Sequence, residues 1–130
     1  KCEMENKDCC CQNSVLAKEK NIEVDVDTVA RRYIHNEITR AIVCGGLDPM
    51  DSFDDLHGLI NYTRRAGVDD DIVVYTGYTE DEVRNEVEAL KQYKNIVIKF
   101  GRFIPNGTKR YDEVLGVTLA SDNQYAKRIS

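Results

Sequence analysis

Three short apolar runs constrain the fold of this chain more than any other feature of its sequence. They are Ala41–Cys44, Ile72–Tyr75 and Ile96–Phe100, and a glycine follows each run within two residues. The runs are continuous rather than alternating and are rich in β-branched residues, which is typical of strands buried on both faces of a parallel sheet. The glycines indicate that each strand ends in a turn.

Amphipathic segments lie between these runs and read as helices. Asp27 is expected to begin a helix before the first run, and Ser52 a second helix that ends near Gly67. Thr79 and Glu82 form a capping box in front of a third. Helices that alternate with strands predict an α/β fold of repeated βα units with a mainly parallel sheet.

The turns after the three runs are expected to lie together. Residues 45–48 follow the first run, residues 76–78 the second and residues 101–102 the third. Parallel strands end at the same edge of their sheet, and ligands of α/β proteins bind at that edge. If a further strand precedes Cys2, the segment that follows this cysteine lies there too. This convergence predicts a binding site.

Four of the five cysteines fall within ten residues, at positions 2, 9, 10 and 11, and the fifth is Cys44. Thiolates of this kind bind zinc or iron–sulfur clusters. Successive side chains diverge, so only one or two of the three adjacent cysteines can reach one metal, with Cys2 as another ligand. We interpret the group as a metal or cluster site; redox-active thiols and incidental cysteines are the alternatives. Clustered, unpaired cysteines favour a reducing, cytoplasmic setting over a secreted disulfide scaffold.

A pair of glycines and a carboxylate form the first candidate ligand loop. Gly45 and Gly46 allow the backbone to approach a ligand closely, and Asp48 offers a carboxylate to an ammonium group. The alternative is an ordinary tight turn whose exit is fixed by Pro49. Proximity to the cysteine segment favours the ligand loop.

The second candidate loop is Tyr75-Thr76-Gly77. Its glycine leaves room for a ligand, and its hydroxyl groups can bond to a ribose or a carboxylate. The alternative assigns Tyr75 to the core and Gly77 to a turn. The acidic run at residues 69–71 is interpreted as a solvated loop rather than a metal site.

The chain carries a net charge of −5, and this charge is unevenly distributed. Residues 91–130 hold eight Lys and Arg against three acidic residues, a local charge of +5, which leaves −10 for the remainder. The asymmetry suits either an interaction partner or a solvated surface. Aromatic residues do not interleave with the basic ones, and no apolar stretch approaches the roughly 20 residues of a membrane span, so neither a nucleic acid nor a membrane is expected as a partner.

Four motifs resemble the radical S-adenosylmethionine (radical SAM) family, and within it the activating proteins of anaerobic ribonucleoside-triphosphate reductase. They are Cys-Gln-Asn at residues 11–13, Gly-Gly-Leu-Asp-Pro at 45–49, Tyr-Thr-Gly-Tyr-Thr at 75–79 and Ser-Asp-Asn-Gln at 121–124. The third motif is the most specific. The chain departs from the family pattern at Leu47, which is inserted before the carboxylate.

The resemblance implies three cluster cysteines spaced C-x3-C-x2-C, but the expected middle position holds Asp8. One solution makes Cys2 the middle ligand and Cys11 the last, so that the first ligand precedes Lys1 and the chain is a domain of residues 1–130 without its first strand. The other solution uses Cys2, Cys11 and either Cys9 or Cys10.

The resemblance also implies a fold and an activity. The fold would be a partial (βα) barrel. A [4Fe–4S] cluster would bind SAM through its open iron and cleave it to a radical that activates a glycine of the reductase large subunit, with electrons from a flavodoxin or ferredoxin. The methionine amino group would meet Gly45, Gly46 and Asp48, and the nucleoside would lie near Tyr75, Thr76 and Gly77. A non-catalytic metal module and a thiol redox protein are the alternative functions.

Overall fold

The structure, a computed structural model, describes Val15 and residues 18–130 of the chain. The predicted cluster ligands Cys2, Cys9, Cys10 and Cys11 lie outside the described residues. None of the helices in the described part of the chain has the length and apolar character needed to cross a membrane.

The described residues form three α-helices and six strands. The helices are α1 (Val26–Ile34), α2 (Phe53–Arg65) and α3 (Arg84–Leu90), and a 3-10 turn (Pro49–Ser52) precedes α2. The strands are β1 (Ala41–Cys44), β2 (Asp71–Tyr75), β3 (Ile96–Phe100), β4 (Arg110–Asp112), β5 (Val117–Leu119) and β6 (Tyr125–Arg128).

The main sheet is mixed and has the strand order β1-β2-β3-β6. The three apolar runs pair in parallel, with Ala41 opposite Asp71 and Ile72 opposite Ile96. Strand β6 pairs antiparallel to β3, and β4 and β5 form a separate two-stranded ribbon. The carboxyl ends of β1, β2 and β3 therefore meet at one edge, as the sequence predicted.

The core lies on one face of the sheet. Alternate strand residues, including Ile72, Val74 and Ile98, pack there against buried side chains of α2 and α3. The opposite face carries a smaller cluster in which Leu115 packs against Val73 and Val97. The described helices that contribute to the core are thus confined to one side of the sheet.

Two predictions about these elements were wrong in detail. The first run was expected to be buried on both faces, but β1 is a terminal strand of the sheet and its Val43 is 61% exposed. Helix α1 begins at Val26 with Asp25 as its N-cap, not at Asp27. The Asp27 carboxylate instead pairs with Arg31 and accepts a hydrogen bond from the Tyr62 hydroxyl.

The other predicted helix boundaries agree more closely with the structure. Ser52 is the N-cap of α2, although its side chain makes no capping hydrogen bond, and Gly67 follows the helix with a φ of +82°. Before α3, the Glu82 carboxylate accepts a hydrogen bond from the Thr79 backbone over 2.8 Å, which is half of the predicted capping box.

Candidate functional site

Asp48 joins the loops that follow β1 and β2. Its carboxylate accepts a hydrogen bond from the Gly77 backbone N–H at 2.7 Å and from the Thr76 hydroxyl at 2.9 and 3.0 Å. It also accepts one from the Met50 N–H at 3.1 Å, which fixes the start of the 3-10 turn. The two loops that were predicted to bind a ligand are therefore held together by a single side chain.

These contacts occupy most of the acceptor capacity of Asp48, because a carboxylate has about four lone-pair positions. Burial raises the pKa of this carboxyl, while the hydrogen bonds from Gly77, Met50 and Thr76 act in the opposite direction. The Thr76 side chain is itself buried, and its oxygen accepts a hydrogen bond from the Tyr78 N–H at 3.1 Å. In this structure Asp48 and Thr76 therefore set the shape of the loops.

The backbone of the first loop is more open. Gly46 has a φ of +102°, a conformation that side chains rarely adopt, and no atom lies within 4 Å of the position that a Cβ would take. The neighbouring Gly45 lies against the Tyr75 side chain, whose Cβ is 3.7 Å from the position that a Cβ of residue 45 would take. Gly45 and Tyr75 are therefore neighbours at the carboxyl edge of the sheet, and Gly46 follows Gly45 in the same loop.

The loop after β3 is tied to the second loop. The Arg102 guanidinium donates two hydrogen bonds of 2.9 Å to the Glu82 carboxylate, which also holds the Thr79 backbone. Arg102 and Thr79 hold the pKa of Glu82 well below its usual range, at about 2. The Gly101 N–H donates to the Tyr78 carbonyl over 3.0 Å, so the three loops form one connected group.

The Ser-Asp-Asn-Gln motif positions this third loop. The Gln124 amide donates to the Gly101 carbonyl at 3.2 Å, and the Asn123 amide donates to the Arg102 carbonyl at 2.8 Å. Gly101 has a φ of +98°, and a Cβ there would lie 2.8 Å from the Asn123 carbonyl. A glycine is required because the motif approaches the loop this closely.

Lys99 is a candidate site residue that the sequence analysis missed. It lies on β3, beside Tyr75 of β2, and only 8% of it is exposed. Its ammonium donates to the Gly101 carbonyl at 2.9 Å, burial lowers its pKa to about 8, and the Asp48 carboxylate partly offsets this shift. A lysine inside a run expected to be buried was the signal that could have identified it.

The basic C-terminal third is largely neutralised within the protein. Five of its eight cationic side chains form ion pairs, namely Lys91–Glu88, Lys94–Asp69, Arg102–Glu82, Lys127–Glu80 and Arg128–Asp71. Each acidic partner comes from outside residues 91–130. The uneven charge distribution in the sequence is therefore much weaker in the fold. Lys109, just before β4, and Arg110, on β4, are exposed, and neither forms an ion pair within the described part of the chain.

The described residues provide no alternative metal centre. Within residues 18–130, no three His, Cys, Asp or Glu side chains are grouped as ligands. Cys44 is a free thiol whose pKa is raised by burial to about 11, which makes it a poor nucleophile. In the acidic run, Asp70 accepts a hydrogen bond from Tyr33 and Asp71 pairs with Arg128.

Comparison with known families supports the prediction of an iron–sulfur protein. The model of a family described as a 4Fe-4S single cluster domain matches residues 1–124. The chain therefore belongs to this iron–sulfur family. No curated protein and no solved structure matched it. The family match confirms the predicted iron–sulfur class, metal binding and a [4Fe–4S] cluster as the cofactor, and an iron–sulfur domain is compatible with a redox enzyme.

Proposed function

We propose that this protein is a [4Fe–4S] and SAM-dependent enzyme that activates a glycyl-radical anaerobic ribonucleotide reductase. The observation that carries the proposal is the junction at Asp48. This residue joins two loops, Gly45–Asp48 and Thr76–Gly77, which resemble separate motifs of the radical SAM activating proteins. The loops lie at the edge of the sheet where α/β proteins bind ligands.

The residues at this edge offer contacts that suit SAM. The empty space at the Cβ position of Gly46 leaves room for a ligand close to the backbone, and the Tyr75 side chain, 37% exposed, offers an aromatic surface beside Gly45. Asp48 and Thr76 would act by holding the loops, with direct contacts made by Gly45, Gly46, Tyr75 and Gly77.

When bound, the cluster and SAM supply one-electron cleavage of the sulfonium and hydrogen-atom abstraction. The protein's own residues bind, orient and exclude water. Cys2, Cys11 and Cys9 or Cys10 are the proposed cluster ligands. Arg102 and Glu82 would hold the third loop near the second, because Glu82 accepts hydrogen bonds both from Arg102 and from the Thr79 backbone just after the second loop.

The proposed partners follow from the same resemblance. They are the reductase large subunit, whose glycine accepts the radical, and a flavodoxin or ferredoxin as the electron donor. Such a system operates in the cytoplasm under anaerobic conditions. The proposed fold is the partial (βα) barrel of the radical SAM family, in which helices cover one face of a mainly parallel sheet.

Activation of the partner tests this function. The protein is reconstituted anaerobically with iron and sulfide, reduced, and mixed with SAM and the reductase large subunit of the organism that encodes it. We expect a glycyl-radical signal in electron paramagnetic resonance (EPR) spectra that depends on both SAM and the cluster.

Two controls separate the alternative functions. Protein loaded with zinc instead of iron should give no radical, and a Cys11→Ser variant should lose most of its iron. A protein that binds a complete cluster but leaves both SAM and the reductase unchanged would be a non-catalytic iron–sulfur module. Reversible dithiol oxidation without bound iron would identify a thiol redox protein.

A further inference from the structure

A groove runs along the protein beside the candidate ligand loops. It has a volume of about 1040 Å³ and lies between the segment 21–29, helix α2 and the loop after β1. At one end it includes Gly45 and Asp48, so it is continuous with the candidate site. A groove of this size can hold several residues of an extended or helical peptide.

The lining combines apolar side chains with negative charge. Seven aliphatic residues line the groove, among them Ile22, Val24 and Leu59, and four carboxylates stand among them. No lysine or arginine belongs to the described residues that line it. Ile22 is 87% exposed and Val24 is 51% exposed, although both are aliphatic. Exposed aliphatic residues grouped along a groove mark an interaction surface rather than a scattered surface feature.

The charge of the groove determines which partner suits it. Glu23, Asp25 and Asp55 contribute carboxylates along its length, and none of them has an ion-pair partner among the described residues. An anionic ligand would meet uncompensated like charge there, whereas lysine or arginine side chains would be attracted and their stems would cover the aliphatic residues. We propose that the groove binds a cationic, apolar peptide segment of a protein partner.

The identity of that partner rests on the proposed function. A protein that receives a radical at the neighbouring loops must bring a segment up to Gly45 and Asp48, and the groove leads to this point. The proposal therefore predicts that the partner's docking segment carries lysine or arginine beside apolar residues. Binding of the segment itself requires neither the cluster nor SAM.

Peptide binding to the purified protein tests the proposal. The probes are two fluorescently labelled peptides of equal length, one of alternating leucine and lysine and one of alternating leucine and glutamate, measured by fluorescence anisotropy. We expect the cationic peptide to bind at least tenfold more tightly than the anionic one at low salt. Its affinity should fall in about 0.5 M salt, because screening weakens exposed charge pairs.

Matched variants separate the groove from the general negative charge of the protein. The double variant Glu23→Gln/Asp55→Asn should weaken cationic peptide binding about tenfold. The control Glu113→Gln/Asp54→Asn also neutralises one glutamate and one aspartate, at exposed positions outside the groove. It should change the affinity for the cationic peptide less than twofold. Val24→Ser should weaken binding severalfold, unlike Val114→Ser at a similarly exposed site (51% and 48%).

The outcomes are distinct from those of the proposed function. The groove proposal would be overturned if the groove and control variants lowered peptide affinity equally, or if the two peptides bound equally well. It would also be overturned if the groove were covered by a second copy of the protein. Circular dichroism on each variant excludes unfolding as the cause. SAM cleavage should be unchanged in Glu23→Gln/Asp55→Asn. Peptide binding without SAM cleavage by the wild type would contradict the proposed function but leave the groove proposal intact.

Discussion

The Asp48 carboxylate accepts the backbone N–H of Gly77 at 2.7 Å, although the two residues are 29 positions apart in the chain. This contact connects the turn after β1 to the turn after β2. The shape of the candidate site therefore depends on a buried side chain as well as on the backbone. The carboxylate of Asp48 thus has a structural role, because it fixes the second loop relative to the first.

We predict that Asp48→Asn lowers the free energy of unfolding by about 1–2 kcal/mol. An amide keeps one acceptor but places a donor opposite either Gly77 or Thr76, which leaves a buried polar group unsatisfied. Chemical denaturation at pH 7 measures the change. Asp54→Asn, at an exposed position of α2, is the control and should cost less than about 0.5 kcal/mol. Equal effects of the two substitutions would contradict the role of Asp48 as a clamp.

We predict that Lys99→Met stabilises the protein at pH 7 by about 1–3 kcal/mol, because it removes a poorly compensated buried cation. Burial lowers the pKa of Lys99 from 10.5 to about 8. Between pH 8 and 10.5 the unfolded chain binds more protons at this residue than the folded one, so its contribution to stability should rise with pH. The gain from Lys99→Met should therefore shrink over that interval.

The control for this experiment is Lys109→Met. Lys109 is exposed and lies just before β4. It should change the unfolding free energy little at either pH. If denaturation curves at pH 7 and about 10 show the same difference between wild type and Lys99→Met, Lys99 does not carry a shifted pKa.

We predict that Glu82→Gln lowers the unfolding free energy by about 1 kcal/mol at pH 7, a value reduced for the exposure of the Glu82–Arg102 pair. The folded pKa of Glu82 is held near 2, against 4.5 for the free side chain. This stabilisation is present above pH 4.5 and is lost as the pH falls toward 2. The wild-type advantage over Glu82→Gln in chemical denaturation should therefore decrease as the pH falls from 4.5 toward 2. Glu113→Gln, at an exposed position, is the control at pH 7.

We predict that Gly101→Ala is more destabilising than Gly67→Ala. Both glycines have positive φ values, +98° and +82°, so both substitutions strain the backbone by about 1 kcal/mol. Only at Gly101 would the added Cβ meet another backbone atom, the Asn123 carbonyl at 2.8 Å. Thermal unfolding should show a loss at least twice as large for Gly101→Ala. Equal losses would mean that the 121–124 turn moves aside easily.

Much of the fold could be predicted from local patterns. The β-branched runs gave the three parallel strands because buried strands have a continuous apolar signature. The order of the elements then gave the shared edge. The β4–β5 ribbon was not predicted, since each of its strands, Arg110–Asp112 and Val117–Leu119, has only three residues.

The contacts within the candidate site could not be predicted in the same way. The link from Asp48 to Thr76 and the link from Glu82 to Arg102 span 28 and 20 positions, so no local spacing encodes them. Gly45, Gly46 and Gly77 could be identified from the sequence because glycines at turns have conformational freedom. The sequence could not show that the Asp48 carboxylate would accept hydrogen bonds from the neighbouring loop. Because β1 is a terminal strand of the sheet, Val43 remains exposed although it belongs to an apolar run.

The most direct test of the central claim is the EPR spectrum of the reduced, reconstituted protein with and without SAM. A cluster whose open iron binds SAM at these loops should change its spectrum when SAM is added, and 5′-deoxyadenosine and methionine should then form in equal amounts. An unchanged spectrum with no 5′-deoxyadenosine, from a protein that holds a full complement of iron and sulfide, would contradict the account.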